Sequence, residues 1–331
     1  MGTLKQGARN AVQTCMNVKK GEHILIVTDK PRLEIGEALK KEAEAFTPSN
    51  VRLFVLEDLL SRPMKELPDQ IFKQIPWADV TFWATDSMKG EVTSRMKFIR
   101  EAVKFARHGH MPNITKQLME DGMCSDYNEI YKVTTKVHEV VKQVKRLKVT
   151  NPAGTNLDVE LNPQWRWKPC HGLYHKKGEW GNLPEGEIFT AANKADGILV
   201  VDLLGDFFDK KYGIMTGSPL HIKVKNSRAE LSSIETRNPE LKKEIQSYLK
   251  TDENSDRLGE FALGTNVFLK KLIGNLLQDE KFPTVHVAFG DPYQDETGAN
   301  WESKTHVDCI MIDCTVIADN KKIMEKGKYL V

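Results

Sequence analysis

Three short apolar runs separated by amphipathic stretches occupy the first 85 residues, and that alternation restricts the fold more than any other feature of the chain. The runs His23 to Thr28, Val51 to Leu56 and Asp79 to Thr85 are strand-length and rich in β-branched and aromatic residues. Between them Pro31 to Phe46 has helical spacing with charges on one side, a second helical stretch lies near Met64 to Ile75, and Leu4 to Val18 supplies a helical pattern before the first run. Strand and helix in regular succession predict a parallel sheet covered by helices, because parallel neighbours need a crossover connection. Such sheets hold ligands beyond the carboxyl ends of their strands. The turns here contain neither GxGxxG nor GxxxxGK[ST], so this half is not expected to hold a nucleotide.

The texture changes further along. Asn113 to Leu147 reads as helical, with Val133, Val137, Val140, Val144 and Leu147 on one stripe and lysines mostly away from it, the pattern of a solvated face over an apolar seam. Lys148 to Thr150, a Pro-Ala-Gly-Thr-Asn turn and Leu157 to Leu161 read as a β-hairpin. Strand patterns continue to Val316. The fold class expected is therefore α/β: an N-terminal parallel α/β domain, residues 1–145 with a helical tail at 113–145 shared or not, then a mixed α+β domain over 146–331. At 331 residues each domain can bury its own core.

Bulk properties narrow the function classes. Lys and Arg number 48 against 46 Asp and Glu, with no long single-sign block, so the electrostatic footprint of a nucleic-acid binder is missing. Five cysteines, Cys15, Cys124, Cys170, Cys309 and Cys314, are scattered without a CxxC pair, which suits buried thiols in a reducing compartment. No window approaches the roughly 18 uninterrupted apolar residues of a membrane span. A cytoplasmic protein without a membrane partner is expected.

The chemistry is carried by Glu187, Glu260, His286, Tyr293, His306 and Asp308. In His306-Val307-Asp308 the histidine and aspartate stand two positions apart on a β-rich run, so both project from one face, roughly 6.5 to 7 Å apart along the strand. His286 interrupts another apolar strand pattern, and a Gly-Asp-Pro turn follows it. Taken singly, most of these residues have plain readings: Glu187 an exposed turn acid, His286 a core histidine, Tyr293 a surface tyrosine. Glu260 is harder to set aside, since a carboxylate among small and apolar residues is costly to bury unless paired or metal-bound. The sequence around His108 and His110 precedes a helix start, where histidines commonly face solvent.

Four motifs in order carry a resemblance. Asn182-Leu183-Pro184-Glu185-Gly186-Glu187-Ile188-Phe189-Thr190-Ala191, Leu258-Gly259-Glu260-Phe261-Ala262-Leu263-Gly264-Thr265-Asn266, His286-Val287-Ala288-Phe289-Gly290 with Tyr293, and Asn300 to Asp308 resemble the thermophilic metallo-aminopeptidases of the aminopeptidase T type. Asn17-Val18-Lys19-Lys20-Gly21-Glu22 extends the likeness more loosely into the first half. Ala192 departs from a proline frequent in the family, and the chain is shorter than typical members. The resemblance implies that Glu187, Glu260, His286, His306 and Asp308 bind two divalent metal ions, that Tyr293, Glu260 and Glu187 serve catalysis, and that a homodimer removes the amino-terminal residue from small peptides. Oxygen and nitrogen ligands suit zinc, cobalt, manganese or magnesium. Paired metals polarise a carbonyl and lower the pKa of water, and Tyr293 is placed to donate to an oxyanion. Two alternatives stay open. The dihydroxypyridine dioxygenases resemble the same fold, and His286, His306 and Asp308 form a possible facial triad for ferrous iron; the other alternative is a non-catalytic binding protein.

Overall fold

A computed structural model describes residues 2–331. The architecture is the expected one, a parallel α/β region and a mixed region of antiparallel sheets. The chain divides into two compact units, one of Met1–Tyr131 with His171–Glu185, the other of Lys132–Cys170 with Gly186–Val331.

In the first unit Val51–Val55, Ile24–Thr28, Val80–Ala84, Arg107–His110 and Trp180–Asn182 lie side by side in that order, every pair parallel. The three apolar runs of the sequence are its central and edge strands. Leu25, Val27 and Trp83 project from one face and pack with Phe98, Ile99 and Ala102 of the helix Val92–Ala102. The last strand, Trp180–Asn182, joins after the chain has left this unit and returned, a non-local pairing that no periodicity announces.

Several expected helices are shorter than their patterns. Leu4 to Val18 begins as an α-helix, Leu4–Arg9, and widens to π geometry over Asn10–Cys15, where the Met16 N–H reaches back to the Ala11 carbonyl. Near Met64 to Ile75 only Asp69–Phe72 is α-helical, since Pro63, Pro68 and Pro76 remove amide donors on both sides. Asn113 to Leu147 is not continuous: Lys116–Glu120 ends at a non-helical Asp121, and Tyr127–Val141 restarts after Asp126 accepts the amide hydrogens of Asn128 and Glu129. Leu147 belongs to a strand, Arg146–Thr150, which pairs with Asn156–Glu160 in the expected hairpin.

The second unit contains two antiparallel sheets. An eight-stranded sheet runs from Arg228–Ala229 to Lys328–Tyr329, and a six-stranded one has the order Leu203–Leu204, His306–Met311, Val285–Gly290, Leu258–Gly264, Glu187–Thr190, Lys168–Cys170. Alternate residues of the six-stranded sheet, Phe261, Leu263, Val285, Val287, Phe289, Val307 and Cys309, enter a core shared with Leu147, Val149, Leu157, Leu199 and Val201 of the eight-stranded sheet. Burying that face fixes the register, because a slip by one residue would turn every apolar side chain outward. The opposite face is then committed to whatever the intervening residues carry.

Candidate metal centre

Those intervening residues are polar groups alternating with very small ones. Register sets Glu260 beside Ala288 and Ala288 beside Asp308, Ala262 beside both His286 and Phe189, Gly264 beside Glu187 and Gly290 beside His306. Directly paired residues share a face, so each long polar side chain has an alanine or glycine as its neighbour and the ligands converge over a low floor. Gly205 extends this logic: a Cβ there would lie 2.8 Å from Asp308 Oδ2.

The five residues predicted as ligands do come together. His286 Nε2 lies 3.5 Å from Glu187 Oε2, 3.6 Å from Glu260 Oε1 and 4.0 Å from Asp308 Oδ1, and His306 Nε2 lies 3.3 Å from Glu260 Oε2 and 3.5 Å from Asp308 Oδ1. Glu260 thus turns one oxygen to each imidazole. All five are buried except His306, which is partly open. The Nδ1–H of His306 donates to the Asp291 carbonyl at 2.9 Å, which fixes the tautomer and leaves Nε2 facing the carboxylates. Tyr293, in a left-handed conformation with φ of 51°, sets its ring 4.5 Å from that of His306 and 5.6 Å from that of Phe189 while staying 42% exposed.

Sequence reasoning missed Glu280 and Lys281. The run Gln278-Asp279-Glu280-Lys281 looks like a solvated turn, yet Gln278, Asp279 and Lys281 are fully buried. Asp279 accepts the backbone amides of Ile273, Gly274 and Asn275 at 2.7 to 3.1 Å, which ties the segment leading into the short helix Leu276–Asp279 to that helix's last residue. Lys281 Nζ then sits 2.6 Å from Glu187 Oε1 and 2.7 Å from Glu280 Oε1. The only sequence hint was the closeness of this run to His286. Asp206 and Tyr248 were missed as well: the Tyr248 hydroxyl donates to Asp206 Oδ2 at 2.7 Å and accepts the His306 backbone N–H at 3.2 Å.

Two of the groups whose donor atoms lie within 4.8 Å of one another are Glu187 with Glu280 and His286, and Glu260 with His306 and Asp308. Electrostatics show what these groups require. Burial alone would lower His286, but the Glu260 contact and the charges of Glu187, Glu260 and Asp308 raise it to about 9; His306 is raised well above its ordinary value in the same way. Burial would raise Glu260, and the two imidazoles instead pull it down to about 2. Without an added cation the cluster draws protons onto both histidines. Hard oxygen donors with imidazoles fit divalent metal ions.

Residues 234–329 match the family model of the thermophilic metalloproteases (M29), a span that contains Glu260, Glu280, His286, Tyr293, His306 and Asp308. The resemblance to the thermophilic metalloproteases is borne out. Residues 118–235, which contain Glu187, match the family model of 2,5-dihydroxypyridine 5,6-dioxygenase. Among solved structures, the 2,5-dihydroxypyridine dioxygenase of Pseudomonas putida KT2440 superposes with a TM-score of 0.72 at 14% identity, covering 99% of this chain and 97% of that one. Wild-type AmpT from Thermus thermophilus gives a TM-score of 0.69 at 16% identity, covering 99% of both chains. At such identities the two structures establish the shared fold. No curated protein matches the sequence. Among the described residues no helix is long and apolar enough to cross a membrane.

Proposed function

We propose that the protein is a metal-dependent aminopeptidase that removes the amino-terminal residue of small peptides at a dinuclear divalent metal site. The observation that carries this reading is the double donor set, in which Glu187, Glu280 and His286 form one group, Glu260, His306 and Asp308 another, and Glu260 turns an oxygen toward each imidazole. A mononuclear iron triad of His286, His306 and Asp308 would leave Glu260, buried and facing both imidazoles, with no ligand role, a costly arrangement.

In this reading Glu187, Glu280 and His286 hold one ion and Glu260, His306 and Asp308 the other. The ions, zinc, cobalt, manganese or magnesium, supply Lewis acidity toward a peptide carbonyl and acidify water. The chain does the rest. Tyr293, over His306 and open to solvent, donates its phenolic hydrogen to the oxygen that gains charge. Glu187 or Glu260 carries a proton toward the departing amine. Asp206, exposed beside Tyr248, offers a carboxylate for the substrate's α-ammonium, a feature that suits an aminopeptidase and not a site for anionic aromatic rings. The resemblance to aminopeptidase T further supports a homodimer.

The dioxygenase reading keeps the match over residues 118–235 and a fold shared with a 2,5-dihydroxypyridine dioxygenase structure. Metal analysis combined with assays separates the two. The expected result is close to two divalent ions per chain and chelator-sensitive hydrolysis of a leucyl chromogenic substrate. A single iron with oxygen uptake on dihydroxypyridines, and no peptide hydrolysis, would replace the proposal.

A further inference from the structure

The parallel sheet of the first unit carries polar groups that the metal centre does not use. Its strands Val80–Ala84, Arg107–His110 and Trp180–Asn182 are adjacent, with Trp83 in register with His110 and His110 in register with Asn182. Register partners share a face, so an indole, an imidazole and a carboxamide form one row. The row lies at the carboxyl ends of three parallel strands, where sheets of this kind hold ligands.

The helix Val92–Ala102 crosses the same face. Phe98 packs on Trp83 with ring centroids 5.3 Å apart and on His108 at 5.7 Å. Arg95, three residues earlier, follows Phe98 on that side of the helix by the i, i+3 rule and lies close enough to His110 for its charge to add to the lowering of that imidazole that burial chiefly causes.

These groups are short of acceptors. Trp83 is 2% exposed and its indole N–H has no hydrogen-bond partner. The Arg95 Nε is shut away from solvent and also has none; Nη1 donates to Ser87 Oγ at 2.5 Å. Among the described residues no carboxylate is ion-paired with Arg95, and the neighbouring Glu91 is taken by Arg62, at 3.0 Å from Nε and 2.5 Å from Nη2. His110 is 5% exposed, with Nδ1 3.5 Å from His108 Nε2, so one ring nitrogen remains for another partner. Histidines expected to face solvent are thus part of the interior. A guanidinium Nε–H and an indole N–H shut away from solvent without acceptors are uncommon, because their desolvation goes uncompensated.

We propose that Arg95, Trp83 and His110 form a binding site for a small oxyanion, a carboxylate or phosphate group, separate from the metal centre. Arginine suits it through its planar fork of donors, the indole N–H adds a neutral donor, and Asn182 stands at the end of the row.

The test is thermal melting of the metal-loaded, full-length protein with inorganic phosphate or acetate, each against chloride at equal ionic strength. A saturable rise with one of the anions is expected, roughly 5 °C at about a hundred times Kd, and the responding anion identifies the class. Trp83→Phe, which removes only the N–H, should weaken the response, and Arg95→Met should abolish it while melting at or above the anion-free wild type, since an uncompensated cation is gone. Anion effects acting through the metals would persist in both variants. A wild-type melting temperature indifferent to both anions, or a shift retained in both variants, overturns the proposal.

Discussion

Both units bury clusters of charge, and they neutralise them in opposite ways. In the first unit Arg62, with 4% of its side chain exposed, spends its guanidinium on Asp29 at 2.5 Å, on both oxygens of Glu91 and on the Asp86 carbonyl at 2.7 Å. In the second, Lys281 occupies Glu187 and Glu280, while the partners within ion-pair distance of Glu260 and Asp308 are the two imidazoles. Arginine is charged at any accessible pH, so the Arg62 cluster is fixed. Imidazoles take their charge from protons and surrender it to metal. A closed network marks structure, whereas a cluster that relies on exchangeable cations marks chemistry.

The largest effect is expected where that contrast is sharpest. Glu260→Gln keeps the shape and removes the charge that faces both histidines, so it should reduce metal content and lower peptide hydrolysis by at least about a hundredfold, more than loss of an outer-shell partner costs. Metal analysis and a leucyl chromogenic assay check it. Unchanged turnover would remove Glu260 from the site. The fixed cluster should respond in a different currency: Arg62→Met strands Asp29 and Glu91 in the interior and should cost about 3–5 kcal/mol of stability in denaturant unfolding, with metal content per folded chain unaltered. If Arg62→Met proved neutral in stability, the reading of the first cluster as structural would fail.

A pH experiment sharpens the same comparison. In the metal-free protein His286 is raised to about 9 by the carboxylates that overcome its burial. A raised histidine contributes stability that is full below its ordinary value of about 6.5 and is lost as pH rises through about 9. Chelator-treated protein should therefore lose stability between those values in chemical denaturation. Metal must displace the same protons, so metal affinity should rise with pH over that window. A metal-free protein whose stability was flat across it would show that the imidazoles are not held as cations.

How much of this was legible in the sequence follows from the range of the interactions. Strand-helix alternation in the first half is local, and Val80–Ala84 was visible as a run of β-formers; its neighbour relation to Trp180–Asn182 depends on contacts across the whole intervening chain. The two-residue spacing of His306 and Asp308 put both on one face through strand geometry alone. Glu260 stood out by its small and apolar neighbours, whereas Glu187 was legible only as part of a motif, since nothing local distinguishes it from an exposed turn acid. Glu280 and Lys281 sit on a loop whose course is set by Asp279 gathering three amides, a tertiary arrangement without period. The broken helices after Asn113 failed for a related reason, because helical spacing outlived the capping signal at Asp126 that restarts the helix.

The smallest expected effect concerns the group that links the eight-stranded side of the second unit to its metal centre. Tyr248, at the end of the helix Pro239–Tyr248, accepts the backbone N–H of His306 and donates to Asp206. Loss of the hydroxyl leaves the His306 amide without that acceptor and frees Asp206 to turn. Tyr248→Phe should cost about 1 kcal/mol in stability, the net value of one such hydrogen bond, with metal content retained. If Asp206 receives the substrate's α-ammonium, the same variant should raise KM for peptides more than it lowers kcat, whereas a purely structural tyrosine would leave that ratio unmoved. The split between KM and kcat therefore tests whether the exposed carboxylate at the mouth of the site is held in place for substrate.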